Sequence, residues 1–344
     1  MTWMPLLLAD PSACLRRLVL RDLLDRSEDD PEVRELDGLL LEDELVADLA
    51  RLQGEEGAWQ AGNVSGTSPR STLLTTAQAL ARLGYLGLGI QQPVVEKGVE
   101  YLFSQQAVDG SWLLEGNEPD EEGREGYSMI PLQTALPLRS LALCGCALDP
   151  RAEKAYAWLL AQRLEDGAWP VGIASGNYGY IAGYRRLAHS RWGCRSNTTG
   201  VLACLALHPT LRRGAEAQRA LDLLLGRETR EKYPLGFETA RLIGAEETRG
   251  FITYFARFDL AQILDLCWRV GASQEDGRVA ELVTFIGQQQ GEYGLWEYPH
   301  RPQASRWVSF DLLRSLARID QTGDWLSQEP RTPFRSYLQK QKRF

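Results

Sequence analysis

The chain has 344 residues, 44% of them hydrophobic and 9% aromatic, which is ample for a real core and excludes wholesale disorder. A formal net charge of −8 without any Lys/Arg stripe excludes a general nucleic-acid grip, which needs a basic face to release counterions. No run approaches the roughly 20 apolar residues a bilayer crossing requires, and the six cysteines form no Cys-x-x-Cys pair, so a reducing cytoplasm is the expected home.

Residues 4–9 are apolar but too short, and lack the basic flank, for a signal peptide. Arg17-Leu-Val-Leu-Arg-Asp-Leu-Leu24 reads as a helix, with Trp3 ahead of it. Segment 44–52 is amphipathic and runs into Gln53-Gly-Glu-Glu-Gly57-Ala-Trp59. An apolar helix then starts near Ser71, followed by a second amphipathic helix over 94–106. The motif returns as Gln106…Gly110-Ser-Trp112, and the acidic run 118–122 after it reads as a solvated loop. The next apolar helix begins near Pro131, the next amphipathic one covers 150–162, and Gln162…Gly167-Ala-Trp169 closes that unit.

A long insertion follows Trp169, with 24 residues before Cys194 against 10 between Trp59 and Arg70. Long loops in compact domains are often lids or binding loops. Its Tyr178, Tyr180, Tyr184 and Trp192 offer flat contact surfaces, while Arg185, Arg195 and Asn197 could hold an anion. Helices near Ser196 and over 215–227 lead to a degenerate copy, Tyr233-Pro-Leu-Gly236-Phe237. A lesser insertion carries Tyr254 and Arg257 towards the same mouth. After the amphipathic segment 278–290 comes the last good copy, Gln290…Gly294-Leu-Trp296, then Arg306-Trp307 at the head of a final apolar helix. A sixth amphipathic helix is expected at 331–342.

The Trp (or Phe) positions are separated by 53, 57, 68 and 59 residues, the length of two helices and two loops. Such a period organises a fold before any local feature does. Glycine supplies the positive φ that ends a helix. Gln and the indole offer hydrogen bonds to carbonyls left open at helix ends. The motifs are therefore read as staples and not as chemistry.

These Gln-x(2–4)-Gly-x-Trp copies resemble the QW repeats of squalene–hopene cyclases and related triterpene cyclases, and the same helical ring occurs in protein prenyltransferase β-subunits. The resemblance spans nearly the whole chain. It implies an all-α fold, an α/α toroid of six inner and six outer helices forming one domain over residues 1–344. It further implies a central cavity for a hydrophobic, isoprenoid-like small molecule. The catalytic signatures do not come with it. Class II cyclases carry Asp-x-Asp-Asp just before Thr-Ala, whereas Thr72-Leu-Leu-Thr75 stands there. Prenyltransferases hold zinc with Asp, Cys and His; Asp265 and Cys267 resemble the first two, but Arg306–Ser309 offers no His and His300 lies in the preceding loop. No cofactor or metal is therefore assigned, and whether the chain is an enzyme stays open.

An acid could still come from Asp22, Asp259 and Asp311, which share an Asp-Leu context in the first, fifth and sixth inner helices. Neighbouring carboxylates raise one another's pKa. The blander expectation is that each pairs with a nearby arginine, Arg21, Arg257 or Arg314. Two functions remain open: binding, with or without transformation, of a hydrophobic molecule in the cavity, and a non-catalytic toroid that takes a peptide or protein at its loop mouth.

Overall fold

A computed structural model describes residues 2–64, 71–113, 130–171, 185–187, 189–226, 235–247, 252–322 and 325. Regular structure among them is helical, with α1 (Trp3–Leu8), α2 (Ala13–Asp22), α3 (Pro31–Leu39), α4 (Glu44–Leu52), α5 (Thr72–Tyr85), α6 (Pro93–Ser104) and α7 (Pro131–Leu143) in the first half. The second half holds α8 (Pro150–Ala161), α9 (Arg195–Leu205), α10 (Ala215–Leu225), α11 (Phe237–Leu242), α12 (Leu260–Val270), α13 (Gly277–Gly287) and α14 (Ser305–Thr322).

Local chemistry sets most helix starts. Ser12, Asp43, Ser71, Asp149 and Asp276 each accept a backbone N–H from the first turn of the helix they precede. Such caps satisfy donors that have no partner inside the helix. Proline at the first helical position, as in α3, α6, α7 and α8, presets φ where no N–H is needed.

The helices alternate as expected between an inner set (α2, α5, α7, α9, α12, α14) and an outer one (α4, α6, α8, α10, α13). Inner helices are buried all round, as α5, α7 and α9 show, while outer ones bury one stripe. Neighbouring inner helices pack directly from α5 to α7 to α9, from α12 to α14, and from α14 back to α2. The α9 side is joined to α12 through the 3-10 turn Ile252–Phe255 and the Arg195 guanidinium, 5.5 Å over the Phe258 ring. One apolar cluster runs from Leu7 to Ile319. The architecture is an α/α toroid.

The Gln–Gly–Trp loops lock each hairpin to the next. Every Trp ring is sealed from solvent, and its indole N–H donates to the carbonyl ten residues upstream: Leu49, Leu102, Leu159 and Ile286 at 2.7–2.8 Å. Each Trp backbone N–H donates to a hydroxyl on the following inner helix, Thr76, Thr134, Thr198 or Ser309. Gln53 and Gln106 bridge the carbonyl of their own loop glycine to Val94 and Arg151 at the start of the next outer helix.

Segment 331–342 lies outside the described residues. The place beside the last loop is taken by α1, since Gly294 faces Thr2 and Trp3 as Gly57 faces Lys97. The Thr2 hydroxyl donates to the Tyr293 carbonyl at 2.9 Å, and Arg306 pairs with Asp10 at 3.1 Å. A short N-terminal helix thus joins the two ends of the ring. No described helix is long and apolar enough to cross a membrane.

Candidate functional site

The centre of the ring is packed. All six residues of α11 are buried, and the helix lies against α5, α12 and α14. Glu238 of α11 pairs with Arg139 of α7 at 2.5 Å and with Arg241 at 2.6 Å. Burial disfavours its charge, yet Arg241 and Arg139 hold the carboxyl below the usual range. Beside it, Asp311 accepts from Thr239 at 2.6 Å, Tyr85 at 2.9 Å and Arg314 at 2.7 Å. Arg314 also reaches Asp22 at 3.4 Å and Asp265 at 3.7 Å. Between these groups remains a cavity of about 60 Å³, lined in part by Gln262 and Arg269. That is room for a water or two and not for an organic ligand.

A larger space opens at the seam, where α2 and α14 face α4 and α5. This cleft has a volume of about 1050 Å³. Its apolar wall includes Leu45, Leu49, Val64, Ile243 and Trp307. Trp307 is 3% exposed and its ring lies 5.7 Å from that of Tyr85. Arg16, Arg82 and Arg306 line the same cleft. Arg82 rises from the otherwise apolar α5, is 6% exposed, and donates to the Ile243 carbonyl at 3.4 Å. Gly244, at φ +78°, leaves room for its guanidinium: a Cβ there would stand 2.6 Å from the Arg82 Cζ. Burial, then the Arg241 charge, pull the Arg82 pKa down to about 10, with Asp48 acting in the other direction.

The acids of the cleft are engaged or peripheral. Asp43 accepts from the Ser12 hydroxyl and from the amides of Cys14 and Leu45. Asp10 takes the Ser12 amide and Arg306. Asp48 pairs with Arg51 at the exposed edge, where Glu42 and Glu44 also lie.

The residues expected from sequence divide into several groups. Asp22 and Asp311 are brought together, but by their shared Arg314 and not as an acid pair; Arg318 adds a second contact to Asp22. Burial raises the Asp311 carboxyl, with Arg314 opposing. Asp259 does not belong to that group. It caps α12, fully buried, accepting the amides of Gly236 and Ala261 at 2.9 Å and of Glu238 at 2.6 Å. Burial pushes it up to about 6 against those donors. Of the expected arginine partners, Arg314 pairs with Asp311 as foreseen, whereas Arg21 pairs with Glu28, and Arg257 stacks 4.5 Å over the Phe237 ring.

Tyr178, Tyr180 and Tyr184 lie outside the described residues, and Tyr254 is placed only by its backbone in the 3-10 turn. The Arg185 carbonyl accepts the Arg195 amide. Arg191 lies 5.1 Å over the Trp192 ring. Asn197, fully buried, uses its side-chain oxygen on the Leu132 amide and so joins α9 to the start of α7. Among the described residues expected to bind, Trp307 lines the seam cleft. Asp265 is committed to Arg269, the Trp268 indole and Arg314, while burial raises the neighbouring Cys267 thiol. Arg16, Arg82 and Gly244 were not singled out from sequence; a lone Arg inside the run 73–83 was the available sign.

No family model matches the chain. A probable squalene–hopene cyclase of Sinorhizobium fredii is 30% identical over 128 residues, 37% of this chain and 19% of that protein. The squalene–hopene cyclase of Zymomonas mobilis is 31% identical over 99 residues, 28% of this chain and 14% of that one. The chain thus spans about a fifth of the length of the curated relatives it matches. Among solved structures, a type II terpene cyclase from Scytonema in complex with geranylgeranyl dihydroxybenzoate superposes with TM-score 0.34 and 16% identity, covering 80% of this chain and 95% of that one. The ent-copalyl diphosphate synthase of Streptomyces platensis gives TM-score 0.37 and 17% identity over 70% of this chain and 41% of that one. Over about a third of its length the chain is similar in sequence to squalene–hopene cyclases, and its described residues form a helical toroid.

Proposed function

We propose that this protein binds a hydrophobic, isoprenoid-like small molecule, and that the seam cleft receives it. The carrying observation is the cleft itself: about 1050 Å³, in which Leu39, Leu45 and Leu52 stand among charged side chains such as Asp48, Arg51 and Arg306. Small-molecule sites are concave and of about this size, and they combine apolar surface with placed polar groups. Similarity to squalene–hopene cyclases supports the class of ligand. Acid-initiated cyclisation is not part of the proposal, because Thr72–Thr75 occupy the place of the Asp-rich signature and Asp311 faces the packed centre. Titration of the purified protein with farnesol, followed by calorimetry and thermal unfolding, tests the reading. One-to-one binding with a raised Tm, lost on replacing Leu49 by Arg, is expected. Absence of binding at farnesol's solubility limit overturns it.

The packed centre favours a second reading, a non-catalytic toroid that takes a peptide or protein across its loop mouth. Failure of farnesol to bind, with a stable partner recovered on the intact chain and lost with changes at the mouth, selects it.

A further inference from the structure

His208 closes the turn between α9 and α10. Its Nδ1 accepts the backbone amides of Thr210 at 3.2 Å and Leu211 at 3.1 Å, and the Thr210 hydroxyl lies 3.1 Å away. Amide nitrogens can only donate, so Nδ1 carries no proton and the ring proton sits on Nε2. That N–H donates to Glu153 of α8 at 3.0 Å. The Tyr156 ring stands edge-on at 4.8 Å, and His208 is 3% exposed. The 3-10 turn Leu211–Arg213 that begins on this cap packs against α10 and α12, where Arg213 lies beside Gly271. The Gly271 carbonyl in turn accepts the Trp325 amide at 3.1 Å. The charged groups around the imidazole are Glu153 from α8, Arg212 and Arg213 from the turn, and Glu216 from the first turn of α10, beside Gly214. Burial, with Cys204 and Glu153 adding to it, raises the Tyr156 hydroxyl, so that neighbour stays neutral.

A second ring proton has one place to go, Nδ1, where it would meet two amide donors head-on. The imidazolium and the closed turn therefore exclude each other. We propose that this turn is an acid-released latch, closed while His208 is neutral and opened when its ring takes a second proton. The open turn binds one proton more than the closed one, so acidification favours opening, by at most about tenfold per pH unit. Histidine is the side chain suited to a charge change near neutrality. Glu153 serves both states: it accepts from the neutral ring in the closed turn and pairs with the imidazolium in the open one. Release frees Leu211–Arg213 from α12 and, through Gly271, reaches the Trp325 contact that follows α14, while the Gln–Gly–Trp loops keep the ring together.

Amide hydrogen exchange of the full chain, read at pH 7, 6 and 5 and corrected for the intrinsic pH dependence of exchange, tests the latch. Protection of the Thr210 and Leu211 amides is expected to fall about tenfold or more between pH 7 and 5, within the limit of about a hundredfold that one proton sets. The backbone amides of Trp59, Trp112 and Trp169, held by threonine hydroxyls, are expected to keep theirs. His208→Asn puts a side-chain oxygen where Nδ1 stands, one that accepts the same amides and does not titrate. Its turn is expected to stay closed across the range. His189 and His300 are exposed and present in both proteins, so their titration is common to the comparison. Constant wild-type protection of the turn overturns the latch, as does an equal fall in His208→Asn or at the three Trp amides. The wild-type series decides alone if His208→Asn does not fold.

Discussion

Alanine in place of the loop glycines should separate the conformational role of this repeat from its packing role. Gly57, Gly110, Gly167 and Gly294 share a left-handed backbone, with φ of +87°, +94°, +95° and +76°. A Cβ in that region costs about 1–2 kcal/mol, offset in part by the entropy glycine brings to the unfolded chain. That common cost leaves Gly294→Ala about 1 kcal/mol less stable, since its nearest neighbours would be 3.5 Å away. Gly57 and Gly110 differ. A Cβ would stand 2.6 Å from the Lys97 carbonyl carbon in one case and 2.7 Å from the Lys154 carbonyl in the other. These are backbone atoms of α6 and α8, so the outer helix itself must shift, adding about 1–3 kcal/mol of overpacking. Gly167 meets the Arg219 side chain, which can turn away at the loss of its 2.9 Å bond to the Asp166 carbonyl. The expected order of destabilisation is Gly57 and Gly110, then Gly167, then Gly294. Urea unfolding of the four variants, compared at constant m-value, reads it. Equal losses would show that backbone strain acts alone and that the loops do not press on the next outer helix.

Two buried charges supply further predictions. Arg314→Met strips the shared cation from Asp311, Asp265 and Asp22, and loss of one partner from a buried ion network costs about 3–5 kcal/mol. Removal of that cation lifts Asp311 further above its unfolded value, so this variant should regain stability as the pH falls from 7 through the raised pKa. Wild-type stability conferred by Glu238 and Asp265, both held low, is instead lost only below the ordinary carboxylate range. A midpoint for Arg314→Met that does not rise between pH 7 and 5 refutes the network. Asp259, with a folded pKa of about 6 above the unfolded 3.8, binds its proton more tightly in the folded state. Its contribution to stability therefore increases as pH falls from 7 through 6 towards 4, and Asp259→Asn should flatten that part of the stability–pH curve.

Much of the ring is legible in the sequence because its signals are local. A Gly two residues before a Trp, an Asp or Ser cap, and a Pro at a helix start each act within a few residues, and together they place α4 to α10 and α13 within two or three residues of expectation. Failures occur where contacts are distant. The contact that sets α1 beside the last loop joins residues 291 positions apart, and the one that places Arg82 at the seam joins residues 161 apart. The shared Asp-Leu context of Asp22, Asp259 and Asp311 misleads for a related reason. A dipeptide says nothing of depth: Asp22 ends α2, Asp259 precedes α12, and Asp311 lies in the second turn of α14.

The degenerate fourth copy shows how a local change acquires a global effect. In the four good copies the Trp stands outside any helix, and its indole binds the preceding outer helix. At Gly236, φ +96°, the chain turns straight into α11 with Phe237 at its head, and a ring without an N–H cannot make the indole's bond. Asp259 takes over the anchoring by accepting the amides of Gly236 and Glu238, which directs α11 into the space between α5, α12 and α14. Once there, Glu238 pairs with Arg139, the Thr239 hydroxyl donates to Asp311, and the axis is filled. The same helix ends at Ile243 and Gly244, which form the inner wall of the seam cleft and hold Arg82 in it. Loss of one Trp from the repeat thus accompanies both the closing of the centre and the building of the pocket beside it. Variants that loosen α11, Asp259→Asn among them, should therefore weaken ligand binding at the seam although the substituted residue lies outside the cleft.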